Sequence, residues 1–338
     1  MLREFVVEQV PLAAAVFALG VAVSFLVHGF VPNGDRPFPV AGVAVSLWEL
    51  LWLGLWTGYT MAIVGQASGT FVLAYSASVL QFTSVGLSPT CLLIAFLNPF
   101  GALLGFWRNH QWNLDMAKWL CIGGIAGAPL GPFIRVYLLS DPVPFKAIIG
   151  LVLLITAFQL LLEGWRWFRR RGAGRVKLPP GFRIVTLARS PQYMDFGYGD
   201  RKVRFGHAAM FTIGVFVGVS GSAIGIGGGF LLVPILALAY RLPMHVIVAA
   251  SIPYVIVLSI AGLLSYILVL PALTGIETPP DWGFGLFVAS GAILGAWLAA
   301  KTQRHIPEGL LQWSLGLATA FIGALYVINY VWGLPFPI

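Results

Sequence analysis

Long apolar segments separated by short polar turns make up most of the chain. Most are close to the roughly 20 residues that a helix needs to cross the hydrocarbon of a bilayer. Segments 69–82 and 228–240 are shorter, and a helix of either length would span only about 20 Å at 1.5 Å per residue. The pattern therefore predicts membrane-spanning helices interrupted by two half-helices. In chain order the predicted segments are 10–30, 45–66, 69–82, 88–107, 116–139, 145–163, 207–225, 228–240, 244–270, 282–302 and 308–332.

The composition favours a membrane protein over a soluble one. Of the 338 residues, 59% are hydrophobic and only 9% are charged, whereas soluble proteins are about 25% charged. So few charges could not cover the surface of a soluble fold of this size, which excludes a cytosolic enzyme. No small-x-small cleavage site follows segment 10–30, so we expect it to stay as an extra first helix.

One stretch of the chain holds a large share of the charges. Fourteen of the 32 charged residues fall between Glu163 and Arg204, and loops this basic lie in the cytoplasm and attract anionic lipid headgroups. Counting outwards from this loop places all Lys and Arg on the cytoplasmic side except Arg36, Arg135 and Lys146. The N-terminus is then inside and the C-terminus outside. Lipid headgroups explain the basic charge better than nucleic acid does.

Two interpretations of the basic loop are possible. It lies against lipid and orients the chain, or it forms a small regulatory element. Alternation at 182–187 and 193–205 favours short strands in that second case.

No cofactor or metal is predicted. The two cysteines form no CxxC pair, and the glycine run lacks the Lys-Ser/Thr of a phosphate-binding loop. The histidines lie near segment ends without metal-ligand spacing: His28, His110, His207, His245 and His305.

The two halves of the chain carry the same glycines and prolines in the same order. Each half has five segments, and this odd number inverts the second half relative to the first. The sequence therefore predicts an all-α polytopic membrane protein of two inverted five-segment repeats with broken or half-helices, plus one extra N-terminal helix. The matching positions are Gly65–Gly69 with Gly225–Gly229, Pro89 with Pro243, Asn98–Phe100 with Ile252–Tyr254, and Gly127 and Gly131 with Gly291 and Gly295. The predicted divisions are an N-terminal helix (1–40), a first repeat (41–163), the basic loop (164–206) and a second repeat (207–338).

The glycine turns predict an anion site at the interface of the repeats. Gly225–Gly229 cannot be ordinary helix throughout, because each helix-interior glycine costs about 1 kcal/mol relative to alanine. A half-helix that begins near Gly229 presents free N–H groups and a partial positive charge to the turn, and Gly65–Gly69 provides a second such end. Glu49 and Arg135 lie near segment ends, so no charge is expected at mid-membrane. A cation transporter normally needs a buried carboxylate, so a small oxyanion is the predicted solute.

The alternative is that the glycine turns only pack helices together. The candidate substrate-binding residues lie in or beside the turns and kinks: Gly65, Gln66, Ser68, Gly69, Thr70, Asn98, Ser220, Ser222, Gly225, Gly227, Gly228, Gly229, Ser251 and Tyr254. Proline kinks a helix by removing a backbone hydrogen bond. The candidate hinges are therefore Pro99, Pro234 and Pro253. The alternative is that these prolines only kink the helices for packing.

The second-half motif, Gly225-Ile-Gly-Gly-Gly-Phe-Leu-Leu-Val-Pro234, resembles the hallmark of the sulfite exporter TauE/SafE family. That family belongs to the group of toluene-sulfonate uptake permeases. The resemblance covers roughly 45–163 and 207–332. In the first half the motif is degenerate, since Gln66 and Ser68 replace glycines and Ala74 stands where Pro234 would match.

The resemblance implies a prokaryotic inner-membrane carrier of sulfite, sulfoacetate or another organosulfonate. A thiosulfate-uptake family also has glycine-rich inverted repeats. In that family, however, a series of cysteines lines the substrate path, and this chain has only Cys91 and Cys121.

The leading hypothesis is a secondary transporter, in which inverted repeats rock around a site near the midplane. Coupling to protons or to the membrane potential, and uncoupled uniport, all stay open. The alternatives are an anion channel and a membrane scaffold that docks a partner through the basic loop. Import or export, and the oligomeric state, are not predicted.

Overall fold

The computed structural model describes residues 9–64, 69–100, 114–169, 184–198, 201–240, 244–302 and 308–333. The fold is mostly helical. The helices are α1 (Val10–His28), α2 (Leu47–Val64), α3 (Gly69–Ser78), α4 (Leu87–Leu97), α5 (Leu114–Gly127), α6 (Leu130–Phe133, continued by a π-helix at Ile134–Leu138), α7 (Pro142–Arg169), α8 (His207–Ile224), α9 (Gly229–Tyr240), α10 (Met244–Leu264, continued by a π-helix at Ser265–Val269), α11 (Leu270–Thr274), α12 (Trp282–Thr302) and α13 (Glu308–Trp332).

Six of the described helices are long and apolar enough to cross a membrane. A seventh span is formed if α5 and α6, which bend by 41°, count as one. The bend lies at Ala128 and Pro129, where proline cannot continue the backbone hydrogen bonding. The two predicted half-helices are confirmed as short helices, α3 with 10 residues and α9 with 12.

Each half-helix forms a hairpin with the helix before it. In the α2–α3 hairpin, the Trp56 ring lies 6.3 Å from Phe71 and 6.1 Å from Tyr75. In the α8–α9 hairpin, the last residue of α9, Tyr240, packs its ring 4.7 Å from Phe205, just before the start of α8. Each hairpin therefore begins and ends at the same end of the helical bundle.

The loops before α2, after α3 and before α12 meet at one end of the bundle, called here the loop end. The buried Asp281 carboxylate accepts hydrogen bonds from the backbone N–H groups of Val40 and Ala41 at 3.1 Å and of Phe284 at 3.0 Å. Ser84 Oγ donates to the Val40 carbonyl at 2.9 Å. These contacts tie the start of α12 to the two loops that flank the α2–α3 hairpin.

A three-stranded antiparallel sheet lies at the opposite end, called here the sheet end. Its strands, in the order β1-β2-β3, are β1 (Ile184–Arg189), β2 (Tyr193–Tyr198) and β3 (Arg201–Gly206). Met194, Phe196 and Phe205 are buried and pack among apolar residues of α5, α8 and α9. Strands are thus present, as the second interpretation of the loop expects, with stretch 193–205 divided into β2 and β3. Apolar side chains attach the sheet to the helices.

Two pairs of helices pack closely against each other at glycines, in the same way in each pair. At each of these positions a methyl group would overlap the backbone of the facing helix, so only glycine permits the close approach. The glycines are Gly54 and Gly58 of α2 against Gly291 and Gly295 of α12, and Gly214 and Gly218 of α8 against Gly123 and Gly127 of α5.

The contacts at the two crossings suggest a different alignment for one predicted match. Gly291 faces the Leu51 carbonyl and Gly123 faces the Phe211 carbonyl, and Leu51 and Phe211 are 160 residues apart, the same offset as between the two predicted glycine turns. Counted by this contact, Gly291 and Gly295 correspond in position to Gly123 and Gly127, whereas residue spacing matches them with Gly127 and Gly131. Gly131 also faces α8, at Ser222 and Ala223, so the repeat and its exact match stay predictions.

Candidate functional site

The start of half-helix α3 meets the turn of the α8–α9 hairpin inside the protein. Gly69, the first residue of α3, faces the turn between α8 and α9, and a Cβ at Gly69 would lie 2.9 Å from the Ile226 carbonyl oxygen. In that turn Gly225, Gly227 and Gly228 have φ angles of 94°, 74° and 76°. Side-chain-bearing residues rarely adopt this left-handed backbone. The glycine run therefore brings the N-termini of both half-helices together.

Residues 221–230 are all buried, and the turn is packed against α4 and α10. Gly225 faces the backbone of Ser88 in α4, and Gly227 faces Ser259 of α10. Gly228 faces Leu258 and Tyr254 of α10. The turn is thus both a packing device and a stretch of irregular backbone enclosed by protein, the setting in which such backbone is tolerated at membrane depth.

The backbone amides at the start of α9 are available as donors. No described backbone carbonyl accepts a hydrogen bond from the amides of Gly227, Gly228 or Gly229. By contrast, the Leu231 and Leu232 amides both donate to the Gly228 carbonyl, at 3.2 and 3.1 Å. Free amides combine with the helix dipole to make a helix N-terminus attractive to anions.

Four of the predicted site residues donate their hydroxyl protons to backbone carbonyls. Ser220 and Ser251 bond within their own helices, whereas Ser222 and Tyr254 bond between helices. The bonds run from Ser220 to Phe216 (2.7 Å), from Ser251 to Ile247 (2.9 Å), from Ser222 to Ala128 (2.6 Å) and from Tyr254 to Gly214 (2.9 Å). In this arrangement Ser222 and Tyr254 hold α8 against α5 and α10 beside the turn.

The other predicted residues are placed as follows. Thr70 lies in the first turn of α3, 1% exposed. Asn98 is fully buried and caps α4, which ends at Leu97 instead of continuing through Asn98 and Pro99 as predicted. Pro234 and Pro253 lie inside α9 and α10, as expected. Gly65, Gln66 and Ser68 lie outside the described residues.

Sequence reasoning missed Arg135. It was expected near a segment end with its charge in the interface, but its side chain is 0% exposed. The guanidinium lies 3.8 Å from the centre of the Phe145 ring, and Nε donates to Ser88 Oγ at 3.2 Å. A further bond goes to the Leu139 carbonyl. Arg135 is thus enclosed by side chains of α4 and α7, a contact that no hydropathy pattern reveals.

Through Ser88, Arg135 is linked to the glycine turn. Ser88 Oγ lies 3.1 Å from the Ala223 carbonyl and 3.2 Å from the Ile224 carbonyl, at the end of α8. No ion pair between Arg135 and a carboxylate occurs in the part of the chain that the structure describes. A buried positive charge therefore lies behind the turn and next to the negative end of the α8 dipole.

A model of the sulfite exporter TauE/SafE family matches residues 50–326, which include both hairpins and both half-helices. The chain belongs to the sulfite exporter TauE/SafE family. Membership identifies a multi-pass membrane transporter of the type that exports sulfite and related sulfur anions. No curated protein and no solved structure matches the chain. Helix α1 lies outside the matched region of this TauE/SafE family member, as does the end of α13.

Proposed function

We propose that this TauE/SafE family member is a secondary transporter of a small sulfur-containing anion, such as sulfite, sulfoacetate or another organosulfonate. The observation that carries the proposal is the meeting of two half-helix N-termini at the buried Gly225–Gly228 turn. Neutral amide donors there favour an oxyanion. The buried charge of Arg135 behind the turn favours an anion over a cation.

The helix contacts support alternating access by two inverted repeats. In the two predicted repeats α2 corresponds to α8, α4 to α10, α5 to α12 and α7 to α13. Each contact then has an equivalent: α2 with α12 corresponds to α8 with α5, and the contacts of α4 with α10 and of α7 with α13 each join two corresponding helices. Such a twofold arrangement lets one half rock against the other around a central site. Pro234 and Pro253, inside helices at the site, are the proposed hinges.

The sheet end is proposed to face the cytoplasm of a prokaryotic inner membrane. Arg189, Lys202 and Arg204 are exposed there, next to the basic stretch of the loop. Anionic lipid headgroups would attract these side chains at about 1 kcal/mol per residue. The loop end would then face outwards, with the C-terminus on the same side.

Uptake of sulfite into proteoliposomes tests the proposal. Gly228→Val should abolish sulfite flux, because a Cβ there would lie 2.6 Å from Leu258 Cδ2 and fill the turn. Gly29→Val is the matched control, since Gly29 has a similar φ of 74° but no atom within 4 Å of the added Cβ. Near-normal flux in Gly228→Val would show that the turn is not the site.

The same assay separates two other classes of function. A channel would give fluxes far above carrier rates. A scaffold acting through the basic loop would lose its function when residues 170–204 are deleted but would tolerate Gly228→Val.

A further inference from the structure

Two buried hydroxyl groups lack a hydrogen-bond partner among the described residues: Ser259 lies against the glycine turn, and Thr70 follows Gly69, which contacts that turn. Ser259 of α10 is 0% exposed and Thr70 of α3 is 1% exposed. Neither hydroxyl oxygen has a hydrogen-bond partner in the described part of the chain. Buried polar groups are nearly always paired, because burying one without a partner is costly. Their unpaired state therefore calls for a ligand or another specific reason.

Ser259 differs from the other serines of the same continuous helix. Ser251 and Ser265 donate to the carbonyl four residues earlier, at 2.9 and 2.6 Å, the usual solution for serine in an apolar helix. The Ser259 hydroxyl instead lies against the glycine turn, where the position of a Cβ at Gly227 is 2.9 Å from Ser259 Oγ. It therefore faces the N-terminus of α9, where the amides are unpaired.

We infer that the hydroxyl groups of Ser259 and Thr70 bind the transported anion, together with the amides of Gly227 to Gly229. The inference rests on the function proposed above. All these groups are neutral hydrogen-bond donors, and they come from both half-helices and from α10. They suit an anion that presents several oxygen acceptors, and the SO3 group common to sulfite and the sulfonates has three. A halide presents a single acceptor atom, on which donors arranged around three oxygens would converge less well.

Three variants test the role of these hydroxyls. Ser259→Ala and Thr70→Val each remove one, and Ser24→Ala is the matched control. Ser24 is also buried and unpaired, but it lies beside Gly283 where α1 packs on α12. Because none of the three hydroxyls has a protein partner, thermal unfolding in detergent should be unchanged or slightly shifted upwards in all three variants.

Proteoliposome uptake then measures binding. We expect Ser259→Ala and Thr70→Val to raise KM for sulfite at least about tenfold, as for the loss of a hydrogen bond to a charged group. Ser24→Ala should keep the wild-type KM. Ser259→Thr retains a hydroxyl, so its KM should lie much closer to the wild-type value than that of Ser259→Ala. Methanesulfonate should compete with sulfite in the wild type more strongly than chloride does.

The outcomes separate the two proposals. If wild-type protein transports neither sulfite nor methanesulfonate, the proposed function itself is wrong. If the wild type transports but Ser259→Ala and Ser24→Ala share its KM, the binding role of Ser259 is overturned and the transporter proposal stands. A destabilised Ser259→Ala with unchanged KM would also overturn it, since the hydroxyl would then be structural.

Discussion

At the scale of single residues, Arg135 is the clearest case of a charge held by the interior. Arg135→Ala removes its bonds to Ser88 and Leu139 and its contact with the Phe145 ring. Hydrogen bonds to a charged group contribute about 1.5–3 kcal/mol each. We expect the free energy of unfolding in detergent to fall by about 3 kcal/mol, measured from tryptophan fluorescence on denaturation.

Arg36→Ala is the control for this prediction. Arg36 also contacts an aromatic ring, with its guanidinium 5.2 Å from the centre of Phe30, but it is exposed at the loop end. Its loss should change the unfolding free energy by no more than about 0.5 kcal/mol. Equal changes in unfolding free energy for the two variants would mean that the buried contacts of Arg135 do not stabilise the fold.

The residue scale also shows which parts of the site a sequence can reveal. The glycine run indicated a turn, because residues with side chains rarely adopt the left-handed backbone found at Gly225, Gly227 and Gly228. The partners of Ser222 and Tyr254 are the carbonyls of Ala128, just after α5, and of Gly214 in α8. Such contacts depend on helix packing that local pattern does not encode. Ser259 looked like any serine in an apolar helix until the turn was placed beside it.

At the scale of elements, apolar contacts hold the sheet more firmly than its ion pairs do. Phe205 is buried and packs against Tyr240, so Phe205→Ala should cost about 3 kcal/mol. Hydrogen exchange followed by mass spectrometry should then show much faster exchange in residues 193–206. Unchanged exchange would mean that other contacts hold the sheet.

Arg204→Ala provides the comparison in the same strand. Arg204 donates hydrogen bonds to Asp195 at 2.8 and 3.0 Å, and this pairing lowers the pKa of Asp195. Its contribution to stability is therefore present at neutral pH and is lost only when the pH falls through the lowered pKa. Since the pair is exposed to solvent, its removal should leave exchange nearly unchanged at pH 7.

Element boundaries were predicted where hydropathy changes sharply and missed where backbone geometry decides. The two half-helices and the strands followed from apolar runs and alternation. The end of α4 at Leu97 did not, because an apolar run continues past Asn98 and Pro99, where the regular helix is interrupted. The π-helical segments likewise carry no distinct hydropathy signal.

At the scale of the whole molecule, the two glycine crossings should respond alike to mutation. Gly58 faces Ala292 and Gly218 faces Gly124, so Gly58→Val and Gly218→Val each introduce a side chain into a backbone contact. Each should lower the unfolding free energy by at least about 1–3 kcal/mol. Gly206→Val, whose nearest heavy atom is 4.0 Å away, should be nearly neutral. A large effect at only one crossing would contradict the equivalence.

The grouping of the loops at two ends leads to a test of orientation. Asp35 and Glu277 are exposed at the loop end, and Lys202 is exposed in the sheet. The basic residues of the loop favour the cytoplasm for the sheet end. In a background without Cys91 and Cys121, we expect Asp35→Cys and Glu277→Cys to react with a membrane-impermeant maleimide added to spheroplasts. Lys202→Cys should react only after lysis. Labelling of Lys202→Cys in intact spheroplasts would reverse the orientation, and labelling of Asp35→Cys without Glu277→Cys would contradict the shared loop end.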